Sequence, residues 1–183
     1  MFPVKLPGKL CFLTPVDESL AEKVAAWSND LEIGIRTGDA TDMINISKQK
    51  EYLISMKEGQ NFMIISVENQ QPVGIIRLKN CDFIQGVSEL GLFIGEKSYW
   101  NRGYAREAIQ LALDYGFSIL NMKNIMLHVF EFNVNAIALY KKIGFKEIGR
   151  RRKSIEVAGV RYDDIFMDML NTEFDSNLVK EVL

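Results

Sequence analysis

The stretch from Val87 to Phe130 constrains the fold more than any other. It holds an apolar run, Val87–Ile94 (V-S-E-L-G-L-F-I), a long amphipathic segment, Tyr104–Leu120, and a second apolar run, Ile125–Phe130 (I-M-L-H-V-F). Ala105, Ala108, Ile109, Ala112, Leu113, Phe117 and Leu120 recur at helical spacing, while Arg106, Gln110, Asp114 and Ser118 fall off that stripe. A helix between two strands of one sheet is a crossover. The spacing therefore predicts that the two strands lie parallel and that the connection is right-handed.

The remaining segments read as a mixed, mostly antiparallel sheet with helices against it. Lys9–Thr14 is a first strand; Thr14-Pro15 then signals a helix start, with Asp17 as a capping acid. Leu20, Val24, Trp27 and Leu31 share one helical face. Residues 29–46 contain two glycines and no sustained period, as in a loop with room for a short helix. Ser47 is the expected cap of a second helix through Lys57, with Leu53 and Met56 inward. Phe62–Val67 and Val73–Leu78 flank the turn E-N-Q-Q-P and form a hairpin, so with Val87–Ile94 three consecutive strands occupy the centre. Asn133–Ile143 is a helix stopped by Gly144. Phe145–Ile155 and Arg161–Leu170 are two last strands joined around Ala158-Gly159. The order is β-α-α-β-β-β-α-β-α-β-β, an α+β fold. One domain over residues 1–183 is expected, with 171–183 a loosely held tail.

Composition narrows the function classes. A formal net charge of -2 weighs against nucleic acid as a partner. The apolar runs are too short for a membrane partner, and the first residues do not read as a signal peptide. Cys11 and Cys81 lie far apart and His128 is the only histidine, which argues against a disulfide framework and against a metal site. A cytoplasmic location is the expectation. A homo-oligomer is compatible with the sequence, which does not decide oligomeric state.

The chemistry concentrates at residues 95–106, G-E-K-S-Y-W-N-R-G-Y-A-R, where a strand ends and the best helix begins. First-turn N–H groups and the positive helix end suit phosphate oxygens. Gly103 and Ala105 remove bulk, and Arg102 and Arg106 add charge. The loop is neither a Walker A motif nor a Rossmann fingerprint. Plain turn chemistry explains the same residues on spacing alone.

Three segments in this order resemble the Gcn5-related N-acetyltransferase (GNAT) superfamily: Y-W-N-R-G-Y-A-R-E-A after an apolar strand, N-V-N-A-I-A-L-Y-K-K-I-G-F beyond the next one, and the C-terminal G-R-R-R-K…G-V-R-Y-D-D-I-F-M-D-M-L at 149–170. The likeness is nearest to the branch of ribosomal-protein N-terminal acetyltransferases and spermidine acetyltransferases. It implies acetyl-CoA as co-substrate and a primary amine, either a polyamine or other small amine or a peptide N-terminus, as acceptor. It implies that Trp100, Asn101, Arg102, Gly103, Tyr104 and Ala105 cradle the diphosphate, with Trp100 where the family has Gln or Arg. It implies that Leu92, Phe93 and Ile94 pair with the pantetheine arm, and that strands 87–94 and 125–130 splay apart to admit it. Tyr140, core by helical pattern, becomes the acid that protonates the leaving thiolate. Asn133 becomes both helix cap and pantetheine contact. The amine attacks the thioester directly in a ternary complex, because Cys11 and Cys81 lie outside the motifs. The rival reading is a non-catalytic acyl-CoA-binding regulatory module.

An ammonium must lose a proton before it can attack. Glu89, on the strand face it shares with Gly91 and Phe93, is the candidate base, and a solvated strand-end acid is the alternative. Glu131 is a weaker candidate, and His128, among apolar neighbours, is expected to be a core residue. Arg150–Lys153 read as a charged strand edge. Asp30, Glu32, Asp39 and Asp42 form either an acidic rim for a cationic acceptor or an ordinary polar loop.

Overall fold

The architecture comes from a computed structural model that describes residues 2–175. Among the described residues seven strands form one sheet in the order β1-β2-β3-β4-β5-β7-β6. They are β1 (Cys11–Pro15), β2 (Gln60–Ser66), β3 (Pro72–Asp82), β4 (Val87–Ile94), β5 (Asn124–Phe130), β6 (Lys146–Val157) and β7 (Val160–Leu170). The helices are α1 (Ala21–Ser28), α2 (Leu31–Thr37), α3 (Ile46–Met56), α4 (Tyr104–Asp114) and α5 (Val134–Ile143). The fold is α+β, with a mostly antiparallel sheet flanked by helices. Among the described residues no helix is long and apolar enough to cross a membrane.

The chain divides into two compact units, and the division falls within β3, β4 and α4. The first holds the residues up to Lys79 together with Gly91–Ala112. Here β1 pairs antiparallel with β2, from Cys11 opposite Ser66 to Pro15 opposite Phe62, and β2 pairs antiparallel with β3. Phe12, Val24, Trp27, Leu53, Met63 and Ile75 belong to one buried cluster, with Phe93 and Trp100 packed on it.

The second unit holds Asn80–Leu90 and the chain from Leu113 onward. Its β4 and β5 are parallel, as the helical crossover requires, with Val87, Ser88 and Glu89 opposite Asn124, Ile125 and Met126. β5 and β7 pair antiparallel along all of β5, and β6 is the sheet edge beyond β7. Strand alternation places Ile125, Leu127 and Val129 of β5 and Ile165, Met167 and Met169 of β7 in the interior.

Several boundaries differ from expectation for local reasons. Asp17 does cap a start, accepting the Ser19 N–H at 2.9 Å, but the element there is a short 3-10 turn, Glu18–Leu20, that leads into α1. Leu31 is not on the inner face of α1, because α1 ends at Ser28; Leu31 opens α2 and is 65% exposed. Asp30 starts that helix by accepting the N–H groups of Glu32 and Ile33. The cap of α3 is Asn45 rather than Ser47: its side-chain oxygen accepts the Lys48 N–H at 2.8 Å. Beyond Asp114 the helix widens to a π turn, Tyr115–Ile119, in which the Leu120 N–H reaches the carbonyl of Tyr115. Ala158 and Gly159, both with positive φ, make the β6–β7 turn. At the C-terminal end Asn171–Glu173 is a 3-10 turn in which Glu173 accepts the Leu170 N–H and pairs with Lys146. The rest of the expected tail, 176–183, lies outside the described residues.

Candidate active site

In the first unit the loop at 95–106 is held by its own side chains. Gly95 follows β4, and a Cβ there would lie 2.1 Å from the Trp27 ring, so no larger residue fits. The Gly95 and Glu96 N–H groups both donate to the Val73 carbonyl. After the 3-10 turn Lys97–Tyr99, Trp100 is extended and donates its indole N–H to the Ile94 carbonyl at 2.8 Å. Trp100 is therefore a tie between the loop and the end of β4. The Arg36 guanidinium lies 5.3 Å from the centroid of its ring and the Lys97 ammonium 5.8 Å.

Asn101 and Gly103 take positive φ, 58° and 90°, and the chain then enters α4. A side chain at Gly103 would be strained by that φ and would press on Leu10 at 3.1 Å. The first intrahelical bond runs from the Glu107 N–H to the Gly103 carbonyl. The N–H groups of Tyr104, Ala105 and Arg106 are thus the donors that a helix start does not satisfy. Tyr104 is buried, with its hydroxyl 3.2 Å from that of Ser66 and its ring edge-on to Tyr99. Arg102 lies over the Tyr99 ring at 5.3 Å and 3.7 Å from Glu68. Leu92, Phe93 and Ile94 are half-buried, and Phe93 packs edge-on against Trp27.

A residue that sequence reasoning missed anchors this helix. Glu107 accepts the N–H groups of Lys9, Leu10 and Cys11 at 2.8, 2.7 and 2.7 Å. The only signal for it was the acid in the first turn of α4. Burial, reinforced by Glu107, pushes the Cys11 thiol well above its usual range, so it is no nucleophile. Of the four acids expected at a rim, Asp30 and Glu32 are engaged by Lys97 at 2.9 and 3.0 Å, which holds both carboxyls below their usual range. Asp39 and Asp42 are exposed in the following loop.

The second unit carries the other candidates. Tyr140 is buried on α5, edge-on to Phe145, and burial pushes its phenol up to about 12. The hydroxyl therefore keeps its proton at neutral pH. It is a weaker acid than a free phenol. Asn133 occupies the N-cap position of α5, yet its side chain makes no capping hydrogen bond, which corrects the expected cap. With ψ at 60° the residue is not in the extended conformation from which a cap reaches the first turn; its N–H donates to the Phe130 carbonyl instead. Glu131 is committed to β7, where it accepts the Asp163 N–H at 3.1 Å. Arg150 pairs with Glu147 at 2.6 Å on the edge strand β6, as a charged edge should.

His128 is not in the core. It alternates with the buried Leu127 and Val129, and its side chain is 37% exposed. Its Nδ1 lies 3.1 Å from Asp164 and its Nε2 3.7 Å from Glu89. Glu89 is 19% exposed and accepts a long contact from the Asn80 amide at 3.4 Å, so it is not a solvated strand-end acid. Neither Asp164 nor Asn80 was singled out from sequence. Asp164 sits opposite Phe130, one diagonal step from His128, and only the β5–β7 register reveals that.

The profile of the acetyltransferase (GNAT) domain family matches residues 11–146. The chain belongs to the GNAT acetyltransferase family, and its class is N-acetyltransferase. A prophage-derived N-acetyltransferase of Bacillus subtilis, YokL, is 32% identical over 132 residues, 72% of this chain and 74% of that protein. The spermidine N(1)-acetyltransferase of Vibrio cholerae is 36% identical over 93 residues, 51% of this chain and 53% of that enzyme. The solved structure of a Vibrio cholerae spermidine N-acetyltransferase in complex with CoA and spermine has the same fold: TM-score 0.81 at 22% identity, covering 91% of this chain and 98% of that one.

Proposed function

We propose that this chain moves the acetyl group of acetyl-CoA to a primary amine by direct attack in a ternary complex. The observation that carries the reading is the loop Trp100–Ala105. Positive φ at Asn101 and Gly103 and the unmet N–H groups at the start of α4 form a place for a diphosphate. Leu92–Ile94 hold the pantetheine arm, with one of their N–H groups polarising the thioester carbonyl, and Asn133 contacts the arm. Tyr140 gives its proton to the departing sulfur. Glu89 stands where the acceptor ammonium loses a proton.

A polyamine is the favoured acceptor. Supporting it are the partial likeness to the Vibrio cholerae spermidine enzyme and the two half-buried carboxylates, Glu89 and Asp164, which suit a cation. A peptide N-terminus is the second choice. Two free cysteines among the described residues support a reducing, cytoplasmic setting.

Thiol release from acetyl-CoA, measured against a panel of spermidine, other small amines and ribosomal-protein peptides, tests the proposal. Turnover with spermidine is the expected result. Acetyl-CoA that raises the melting temperature without thiol release across the whole panel would instead favour a non-catalytic acyl-CoA-binding module.

A further inference from the structure

One row of side chains in the second unit is not explained by strand packing. On the face of β5 and β7 turned away from the buried Leu127, Val129 and Ile165, the ladder sets His128 opposite Phe166 and Phe130 opposite Asp164. Past the end of β5 the Glu131 N–H donates to the Asp163 carbonyl, which carries the pairing one step further and brings Phe132 against Tyr162. Five rings follow one another along this face. Phe166 and His128 have centroids 6.2 Å apart, His128 and Phe130 6.1 Å, the stacked Phe130 and Phe132 5.6 Å, and the edge-on Phe132 and Tyr162 5.1 Å. Of the five, Phe130 alone is buried; Phe132, Tyr162 and Phe166 are half-buried. A core would bury such rings, and a solvated strand face has no use for a contiguous row of them.

Asp164 stands within the row. Its side chain is 13% exposed and lies 3.1 Å from His128, yet among the described residues no lysine or arginine pairs with it. Arg151, its cross-strand neighbour on β6, is exposed and makes no ion pair with it. The Tyr162 hydroxyl makes no hydrogen bond among the described residues. Half-covered ring faces around a carboxylate without a fixed cation suit a positive charge on a hydrocarbon body. The rings attract the charge and take up methylene groups, and the carboxylate completes the ion pair. A peptide fits poorly, because rings cannot satisfy its amide groups.

We infer that Asp164, Phe132 and Tyr162 select a linear di- or polyamine as the acceptor: Asp164 pairs with a second, non-reacting ammonium, and the two rings cover the alkyl chain. The inference rests on the amine acetyltransferase reading and adds specificity-determining residues to it. His128 separates the two acids, with Nε2 3.7 Å from Glu89 and Nδ1 3.1 Å from Asp164. An amine reacting at Glu89 and a second ammonium at Asp164 are therefore one imidazole ring apart, within the reach of a propyl or butyl linker. The chain beyond that ammonium lies along Phe132 and Tyr162, whose free hydroxyl accepts an N–H from a third nitrogen.

The test compares kcat/KM for spermidine with kcat/KM for butylamine, which has the alkyl body and a single ammonium. Both acceptors meet the same enzyme, so the ratio cancels any loss of folded protein. The wild type should prefer spermidine. Asp164→Asn should lower the ratio about tenfold, and Phe132→Leu and Tyr162→Leu about fivefold each. Acetyl-CoA affinity by calorimetry should stay as it is in all three. A ratio within about twofold of the wild type in Asp164→Asn, or in both ring variants, overturns the inference and leaves the acetyltransferase reading intact. So does a wild type that uses butylamine or a peptide N-terminus as well as it uses spermidine. A wild type with no turnover on any amine sinks the acetyltransferase reading instead. Spermidine calorimetry then decides the site alone: binding that Asp164→Asn weakens about tenfold upholds it, and no binding, or equal binding by the variant, overturns it.

Discussion

At the scale of single residues, chemistry and packing make separable demands on the same side chains. Tyr140 is buried and carries no hydrogen bond on its hydroxyl among the described residues, so the hydroxyl does little for stability. Tyr140→Phe should therefore melt at the wild-type temperature and bind acetyl-CoA normally while kcat falls about 100-fold. An unchanged kcat would remove Tyr140 as the acid. Gly103 is the opposite case, since its φ of 90° penalises any side chain. Gly103→Val should cost about 1–2 kcal/mol in urea unfolding, more if Leu10 cannot yield, and should abolish acetyl-CoA binding by calorimetry. Tight binding by that variant would show that the loop holds no diphosphate. Both residues stand out in the sequence through their motifs. The setting of His128 does not, because apolar neighbours in a strand say nothing about which face a residue takes until the register is known.

At the scale of elements, what ties the loop and α4 in place is mostly backbone chemistry done by side chains. The Glu107 carboxylate collects three N–H groups from the approach to β1. Glu107→Ala should lower stability by about 2–3 kcal/mol and speed hydrogen exchange at Lys9–Cys11. Unchanged exchange there would mean that water serves those groups equally well. Trp100→Phe keeps the ring but loses the bond to the Ile94 carbonyl. It should weaken acetyl-CoA binding by about tenfold, equivalent to roughly 1.4 kcal/mol, with a small change in melting temperature. Apart from α2, which lies where no sustained period runs, the helices were legible from periodicity, but their ends were less so. Asn45 displaced Ser47 as a cap and Asn133 failed to act as one, because capping depends on the local ψ and not on residue type alone.

At the scale of the whole molecule, the surface carboxylates set the acid limb of stability. Lys57 beside Glu18, Lys97 beside Asp30 and Glu32, Arg150 beside Glu147, and Lys146 beside Glu173 hold those acids below their usual values, which are 3.8 for Asp and 4.5 for Glu. A carboxyl lowered in the folded state contributes stability above its unfolded value and loses it as the pH falls through the folded one. Melting temperature should therefore fall as the pH is taken from about 5 to about 3. Because these pairs are exposed, 1 M salt should flatten that slope. A slope indifferent to salt would assign the acid limb to other groups.

The sequence by itself determined the order of the strands along the chain, every helix but α2, the parallel β4–β5 pair, the loop at Trp100–Ala105 and the family. Each is written in local spacing: a period of 2 or 3.6, a glycine where φ must be positive, and motifs in a set order. Only the tertiary structure decided that Trp100 fastens the loop to Ile94, that Glu107 holds the approach to β1, and that His128 stands between Glu89 and Asp164. The last two join segments distant in sequence, 36 positions apart for His128 and Asp164 and 98 for Lys9 and Glu107. Their pairing depends on strand register and helix docking, which buried apolar faces fix and which no local pattern encodes.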